Sequence, residues 1–258
     1  MLPSEKTAAP DLNELLRQRH IRALIFDLDG VVTQTAKLHA AAWKKMFDEF
    51  LQNATQNTGK SQAPFNIEND YPRYLDGISR TEGIRNFLAS RNLKIPLGKP
   101  EDTFENQTIW GLGNQKNAYY QEIMRQGVDV YEDTVAWIKQ KRAEGFRIAI
   151  ISASKNCREV LRIAGLETLF EVQLDGIEAE NRLLKTKPEP DIFLEAAKAL
   201  NVQTTEAAVF EDARAGVQAG KAGKFGLVVG VNRKDASAGK ELLELGADLV
   251  ITQFPADE

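Results

Sequence analysis

The run Ala23-Leu24-Ile25-Phe26-Asp27-Leu28-Asp29-Gly30 is apolar at its start and ends in two carboxylates and a glycine. A short apolar run of this kind is typical of a buried strand. Residues i and i+2 of an extended chain share a face, so Asp27 and Asp29 project the same way. Two carboxylates this close repel one another unless a cation lies between them or one is protonated. The pair indicates a site for a hard cation such as Mg²⁺, or a nucleophile beside a general acid. Alone, D-x-D-G is a weak signal, since most such tetrapeptides are turns or solvated loops.

Composition narrows the class of protein. The chain has 258 residues, of which 43% are hydrophobic and 27% charged, which is ordinary for a globular protein. A net charge of −4 gives no reason to expect a nucleic-acid partner. No apolar run approaches the length of a membrane span, and the first residues carry no apolar signal segment. We therefore expect a cytoplasmic monomer that binds neither nucleic acid nor membrane.

Cys157 is the only cysteine, which excludes an internal disulfide and a cysteine-based zinc cluster. A single thiol fits a reducing cytoplasm. As a nucleophile it would have only His20 and His39 as histidine bases, so a structural cysteine on a helix is the favoured interpretation.

Strands and helices are predicted to alternate over the second half of the chain. Apolar runs predict strands at 23–26, 146–151, 170–174, 207–210, 227–231 and 248–251. Helices are predicted at 11–17, 131–143, up to 164, 191–200, 213–220 and 238–245. This alternation is typical of βαβ units, hence of an α/β fold with a parallel sheet and helices on both faces.

The block between the first two strands has a different pattern. Helices are predicted at 35–51, at 109–126 and, opened by Arg80, within 71–91, whereas 52–64 and 94–105 are polar or Pro- and Gly-containing connectors. We expect residues 34–126 to form a second, helical domain, inserted into a Rossmann-like core of residues 1–33 and 127–258. The insertion would lie over the strand ends that carry the carboxylates.

Polar side chains follow four of the predicted strands. They are Asp27 and Asp29, then Ser152, then Lys187 in a Lys-Pro-Glu-Pro loop, and then Glu211-Asp212. The carboxyl ends of parallel strands meet at one edge of the sheet, where ligands bind. Carboxylates from two strands can hold Mg²⁺, while a hydroxyl and an ammonium hold an anion beside it. This combination suits phosphoryl transfer, in which positioning and charge neutralisation do most of the catalysis.

The four motifs resemble those of the haloacid dehalogenase (HAD) superfamily of phosphotransferases over nearly the whole chain after residue 20. The resemblance is strongest to the β-phosphoglucomutase branch, which implies a HAD-like Rossmannoid core with a parallel sheet and a helical cap domain inserted after the first strand. The supporting matches are Thr35, His39 and Trp43; Gly77-Ile78-Ser79-Arg80; Lys116-Asn117; Ser152-Ala153-Ser154-Lys155-Asn156; and Lys187-Pro188-Glu189-Pro190-Asp191-Ile192-Phe193.

The resemblance implies roles for the core residues. Asp27 would be the nucleophile that becomes an aspartyl phosphate, and Asp29 the general acid and base. One Mg²⁺ would be held by Asp27, the backbone carbonyl of Asp29 and Asp212, with Glu211 in support. Ser152 and Lys187 would hold the transferring phosphoryl group.

It also implies a second set of residues, which bind the rest of the substrate. Arg80, Ser154, Lys155 and Asn156 would bind the non-reacting phosphate of a sugar bisphosphate, and arginine suits this role because it contacts phosphate through two N–H groups. His39 and Lys116 would link closure of the cap to Asp29. The remaining matched positions, assigned to catalysis or to substrate binding, are Thr35, Trp43, Gly77 and Ala153.

Some positions depart from the family pattern. Gln34 stands where this branch has an acidic residue, Ala213 replaces a small hydroxyl residue, and Leu183-Leu184-Lys185-Thr186 adds length before the third motif. The connectors at 52–64 and 94–105 lengthen the cap. None of these departures touches the core motifs, but caps select substrates, so they leave the identity of the substrate open.

The favoured function is interconversion of β-glucose 1-phosphate and glucose 6-phosphate through a phosphorylated Asp27, with a glucose bisphosphate as a possible activator. The alternative is a phosphatase of a small phosphorylated sugar with the same core residues. A catalytically silent domain and a haloacid dehalogenase are disfavoured by the intact acidic and phosphate-holding residues. Closure of the cap is expected to gate turnover, with hinges near 33–35 and 126–129.

Overall fold

The computed structural model describes residues 11–58, 61–233 and 236–256. Residues 1–10 and residues 59–60 of the predicted connector lie outside these ranges. No helix in the described ranges combines the length and the apolarity that crossing a membrane requires.

A six-stranded parallel sheet forms the centre of the core, in the order β3-β2-β1-β4-β5-β6. The strands are β1 Ala23–Asp27, β2 Arg147–Ile151, β3 Val172–Leu174, β4 Ala207–Glu211, β5 Leu227–Val231 and β6 Leu249–Ile251. The predicted parallel sheet is confirmed. Strand β1 lies between β2 and β4, with Phe26 in register with Ile150 and Phe210. The first motif therefore lies at the middle of the sheet's carboxyl edge.

Helices cover both faces of this sheet. They are α1 Leu12–Gln18, α6 Glu132–Ala143, α7 Cys157–Ile163, α8 Gly176–Asn181, α9 Asp191–Ala199, α10 Arg214–Ala222 and α11 Ala236–Glu244, with a 3-10 turn at Thr204–Glu206. Alternate β1 residues enter two separate apolar clusters, Leu24 and Phe26 on one face, Ala23 and Ile25 on the other. A strand buried on both faces reads as a continuous apolar run, which is why the sequence pattern found it. Helix α8 was not predicted.

Four further helices form the insertion after β1, which we call the cap. They are α2 Thr35–Thr58, α3 Asp70–Tyr74, α4 Arg80–Ser90 and α5 Ile109–Met124, with a 3-10 turn at Phe104–Asn106. The cap has its own apolar cluster, in which the rings of Phe47 and Phe87 lie 4.1 Å apart and that of Phe65 packs on both. The predicted inserted helical domain is confirmed, whereas its exact boundaries, 34 and 126, stay predictions.

Helix α2 is longer than predicted, because residues 52–58 are helical rather than part of a loop. Their polar side chains are compatible with a helix that leaves the apolar cluster and enters solvent. Neither proline nor glycine occurs between residues 35 and 58, and the Thr55 hydroxyl donates to the Leu51 carbonyl at 2.9 Å. The predicted connector at 52–64 is therefore wrong for residues 52–58, because a helix that enters solvent needs no apolar periodicity.

The two chain crossings between core and cap run side by side. Thr33 and Val130 form an isolated antiparallel bridge, the Gln34 N–H donates to the Asp129 carbonyl at 2.8 Å, and the Tyr131 N–H donates to the Val32 carbonyl at 2.9 Å. Both segments of the predicted hinge are thus joined by backbone hydrogen bonds directly beside the first motif.

Candidate active site

The turn after β1 brings the acidic residues of two strands together. Gly30 has a φ of +86°, a conformation that side-chain-bearing residues rarely adopt. A Cβ atom at this position would also overlap the carboxylate of Asp212, which follows β4. Only glycine lets the turn after Asp27 approach Asp212 this closely, which explains the glycine in the D-x-D-G stretch.

Lys187 lies between two buried carboxylates. Its ammonium donates to Asp27 Oδ1 at 2.6 Å and to Glu211 Oε1, and each of the three residues is at most 5% exposed. Burial alone would lower the pKa of Lys187, but the charges of Asp27 and Glu211 raise it above its ordinary value. This lysine is therefore a fixed cation at the end of β1.

Asp27 is held in a defined orientation. Its second oxygen, Oδ2, accepts the Asp29 backbone N–H at 2.9 Å. Burial raises the pKa of Asp27 well above its usual range, Glu211 and Asp29 act in the same direction, and Lys187 opposes them. The carboxylates of Asp27, Asp29 and Glu211 act on one another here, and Lys187 is the cation that contacts Asp27 and Glu211, which leaves room for a further cation.

Glu211 and Asp212 have different surroundings. Both carboxylate oxygens of Glu211 are engaged inside the protein, one by Lys187 and the other by the Ala213 N–H at 2.9 Å. Asp212 instead lines the cavity between core and cap. Glu211 therefore fixes the lysine, and Asp212 faces the space where a ligand would bind.

Asp29 receives hydrogen bonds from two hydroxyl groups. Thr35 donates to Oδ1, and Ser152 donates to Oδ2 at 2.9 Å. His39 Nε2 lies 3.3 Å from Oδ1. Burial raises the pKa of Asp29, but the charge of His39 when it is protonated, the approach of its Nε2, and the hydrogen bonds from Thr35 and Ser152 outweigh burial and lower the pKa to about 2. Asp29 is therefore ionised in this arrangement.

His39 joins Asp29 to Lys116 of the cap. Lys116 Nζ lies 2.6 Å from His39 Nδ1, and the His39 ring stacks on Tyr120 with centroids 4.0 Å apart. The Lys116 ammonium also lies over the rings of Trp43 and Tyr120, at 4.9 and 4.8 Å. Burial lowers the pKa of His39, as does the charge of Lys116, and burial lowers that of Lys116 well below its usual range.

A neutral His39 fits this geometry in one tautomer. Nδ1 accepts from Lys116, so the ring proton lies on Nε2 and points towards Asp29. The cap thereby contacts the acid/base candidate of the core through one imidazole.

The predicted second phosphate site contains residues of both domains. The Arg80 guanidinium of α4 donates to Asn117 Oδ1 at 2.8 Å and to the Gly113 carbonyl at 3.2 Å. Asn156 of the core donates to the same Asn117 oxygen at 2.9 Å. Asn117 therefore connects the cap arginine to the core loop. The sequence presented it only as part of the Lys116-Asn117 match, with no role of its own.

One cavity of about 280 Å³ lies between the cap and the carboxyl edge of the sheet. The predicted residues that line it are Asp27, Asp29, His39, Trp43, Gly77, Arg80, Lys116, Ala153, Ser154, Lys155, Asn156, Lys187 and Asp212. Thr35, Ser152 and Glu211 are fully buried behind this lining and contact it through the hydrogen bonds given above. Gly77, which has a φ of +75°, brings the cap close to the core, since a Cβ there would lie 2.9 Å from that of Ala213.

The lining also includes residues without a sequence signal. Trp110 and Glu180 lie near Lys155, and Tyr71 and Asp76 lie on the cap side. The Tyr71 hydroxyl is hydrogen-bonded to Asp76, and burial together with the Asp76 charge raises the pKa of Tyr71 well above its usual range. These four residues come from α3, α5, α8 and the α3–α4 loop, whose positions depend on tertiary packing.

The oxygen donors beside Gly30 fit a hard divalent cation. Asp27 and Asp212 supply carboxylates and Asp29 a backbone carbonyl, which are the ligand types that Mg²⁺ prefers. The described part of the chain contains no cluster of three or more His, Cys, Asp or Glu side chains that could hold a metal. A cation here would therefore complete its shell with the carbonyl, water or ligand oxygens, as Mg²⁺ commonly does.

Comparison with known proteins agrees with the fold. Residues 21–224 match the model of the haloacid dehalogenase-like hydrolase family. A β-phosphoglucomutase of Mycobacterium bovis is 43% identical over 236 residues, which cover 91% of this chain and 90% of the relative. A phosphorylated carbohydrates phosphatase of Thermotoga maritima is 27% identical over 227 residues, covering 88% and 92%. The crystal structure of a β-phosphoglucomutase from Clostridium difficile superposes with a TM-score of 0.69 at 29% identity, covering 90% and 91%.

A match of this extent, together with the four motifs at one sheet edge, settles the family. The chain is an enzyme, a phosphotransferase or phosphatase, and belongs to the haloacid dehalogenase-like hydrolase family.

Proposed function

We propose that this enzyme interconverts β-glucose 1-phosphate and glucose 6-phosphate through a phosphorylated Asp27 and a sugar bisphosphate. The observation that carries the proposal is the presence of cationic groups at two separate places in one cavity: Lys187 beside Asp27, and Arg80 of the cap with Lys155 of the core. A mutase needs both, because its intermediate carries two phosphates at once. The 43% identical relative named β-phosphoglucomutase supports the same activity.

The first step is attack of an Asp27 oxygen on the phosphorus of a donor phosphate. A bond forms between Asp27 and phosphorus, and the bond from phosphorus to the sugar oxygen breaks. Lys187 and the Asp29 N–H orient the carboxylate for this attack. Asp27, the Asp29 carbonyl and Asp212 would hold a Mg²⁺ ion, which would supply charge neutralisation at the phosphoryl group.

Asp29 handles the proton. It accepts the proton of the sugar hydroxyl that attacks the phosphorylated Asp27, and it returns that proton to the sugar oxygen that departs in the next transfer to Asp27. The ionised state, favoured by a pKa of about 2, is the one that accepts this proton. His39 and Lys116 hold Asp29 in place when the cap is closed, so proton transfer is coupled to closure.

The second phosphate would bind between the two domains. Arg80 comes from the cap, and Ser154, Lys155 and Asn156 from the core loop after β2. A ligand that reaches both sets favours the closed arrangement and excludes water from the phosphorylated Asp27. Every residue invoked comes from one chain, so a monomer suffices. The cytoplasmic location and the lack of a nucleic-acid partner stay predictions.

The alternative activity is hydrolysis of a small phosphorylated sugar. The relative named phosphorylated carbohydrates phosphatase, 27% identical over 88% of this chain, supports it. The two activities share the core residues and differ only in whether a sugar hydroxyl or water attacks the phosphorylated Asp27.

The test is an assay with Mg²⁺ and β-glucose 1-phosphate that follows glucose 6-phosphate and free phosphate together. It is run with and without glucose 1,6-bisphosphate as a primer. Formation of glucose 6-phosphate without matching phosphate release is the expected result. Phosphate release alone would assign the phosphatase, and the absence of both products would refute activity on this sugar.

A further inference from the structure

A carboxylate lies inside the proposed second phosphate site. Glu180, near the end of α8, forms an ion pair with the Lys155 ammonium. Both side chains are partly exposed, 36% for Lys155 and 53% for Glu180, and both line the cavity. One of the two cationic groups that a second phosphate would contact, Lys155, is therefore already paired with a carboxylate.

Glu180 also acts on the other cationic group. In the described part of the chain, no carboxylate lies within 4.0 Å of the Arg80 guanidinium, whose hydrogen bonds go to Gly113 and Asn117. Burial lowers the pKa of Arg80 to about 10, and the charge of Glu180 acts in the opposite direction. Glu180 is thus paired with Lys155 and close enough to Arg80 to stabilise its charge.

The cap contributes a third contact at this place. The Lys155 ammonium lies 5.4 Å from the centre of the Trp110 ring, which belongs to the first turn of α5. A cation over an aromatic face is attracted to it. Lys155 is therefore held between a cap ring and a core carboxylate in the closed arrangement.

We propose that Glu180 is an internal counter-ion for the second phosphate site: it holds Lys155 in the ligand-free enzyme and releases it when a phosphate binds. This inference rests on the proposed function, since it takes Arg80 and Lys155 as the second phosphate site. Glu180 thereby sets the affinity of that site and is a positioning residue, because it touches Lys155 rather than the reacting atoms.

The exchange of Lys155 between Glu180 and the phosphate would help a mutase to release its intermediate from the second phosphate site. A bisphosphate intermediate has to leave the second site and turn round before its other phosphate can react. A carboxylate that takes over Lys155 when the phosphate departs lowers the barrier to this turn. Loss of the Glu180 charge would then tighten phosphate binding without speeding turnover.

The experiment compares Glu180→Gln with Glu178→Gln, a matched control on the same helix. Glu178 pairs with Arg158 and Arg182, at 3.1 and 3.0 Å, and does not line the cavity. Binding of glucose 1,6-bisphosphate is measured by calorimetry in an Asp27→Asn background, which prevents turnover. Circular dichroism confirms the fold of each variant.

We expect Glu180→Gln to tighten bisphosphate binding about three- to fivefold, the upper range for one partly exposed ion pair. The gain should shrink as salt rises from about 20 to about 200 mM, because exposed charges are screened. It should also fall to less than about 1.5-fold when Lys155→Ala is present. In the active enzyme, Glu180→Gln should lower KM while kcat stays level or falls.

Two outcomes would overturn the inference and are distinguishable. If Lys155→Ala weakens bisphosphate binding but Glu180→Gln leaves it unchanged, or acts no more than Glu178→Gln, only the role of Glu180 is wrong. If neither Lys155→Ala nor Arg80→Ala weakens bisphosphate binding, the second phosphate site itself is wrong, and with it the proposed mutase.

Discussion

Gly216 of α10 should be indispensable to the position of Lys187, although it lies outside the cavity. A Cβ atom on Gly216 would overlap the carboxylate of Glu211, which is fully buried and bonded to Lys187 and to the Ala213 N–H. The Gly216→Ala variant therefore has to move Glu211 away from Lys187. The three atoms closest to that Cβ all belong to the Glu211 carboxylate.

Two opposing effects set the magnitude. Alanine in place of glycine within a helix stabilises it by about 1 kcal/mol. Separating a buried ion pair costs about 3–5 kcal/mol. We therefore expect a net loss of about 2–4 kcal/mol in the free energy of unfolding, or a fall of about 5–15 °C in Tm for a chain of this size. Because Lys187 also orients Asp27, we expect activity to fall at least about tenfold.

The control is Gly220→Ala in the same helix. A Cβ at Gly220 meets Val228 at 3.2 Å and Val209 at 3.4 Å, so small shifts accommodate it and its helix propensity offsets the strain. Thermal and urea unfolding and steady-state activity are measured for both variants. A Gly216→Ala protein as stable as the wild type and as active as Gly220→Ala would refute the reasoning.

Three further outcomes can be measured directly. Asp27→Asn should reduce turnover at least about a thousandfold. It should also raise the Tm measured without Mg²⁺: folding raises the pKa of Asp27, so its ionised form destabilises the folded protein at any pH above the pKa that Asp27 has in the unfolded chain. A lower Tm would contradict this. Removal of divalent ions with EDTA should abolish activity, and Mg²⁺ at about 100 times its Kd should restore it. The same Mg²⁺ concentration should stabilise the wild type by about 2.7 kcal/mol and should leave the stability of Asp212→Asn unchanged. Equal stabilisation of both proteins would show that Asp212 does not bind the cation. Cys157, which is fully buried and whose pKa burial raises, should react with a thiol reagent only after denaturation; rapid labelling of the native protein would show that α7 opens.

The core part of the site could be predicted because its residues lie at, or directly after, the ends of strands. Asp27 and Glu211 are the last residues of two paired parallel strands, and Ser152 directly follows a third. Once the strands are recognised from their apolar runs, the topology brings these residues to one edge. The residues of the cap needed the family resemblance, since no periodicity relates His39 or Arg80 to β1.

Other parts of the site could not be predicted from the sequence, for physical reasons. Helix α8 is short and polar, with no apolar stripe, so nothing indicated that Glu180 would reach Lys155. Asn117 and Trp110 point at the core only because of how α5 packs in the closed arrangement. Side chains whose role arises between two domains leave no pattern within either one.

The bridge between Thr33 and Val130 places the two ends of the cap next to each other in space. The chain departs from the sheet and returns to it at neighbouring positions, so about ninety residues form an excursion that the six strands do not need. An inserted domain of this kind can be replaced by another, because the new domain has only to begin and end beside Thr33 and Val130. Evolution and protein engineering can therefore alter which phosphate esters are admitted while the phosphoryl-transfer machinery below stays as it is.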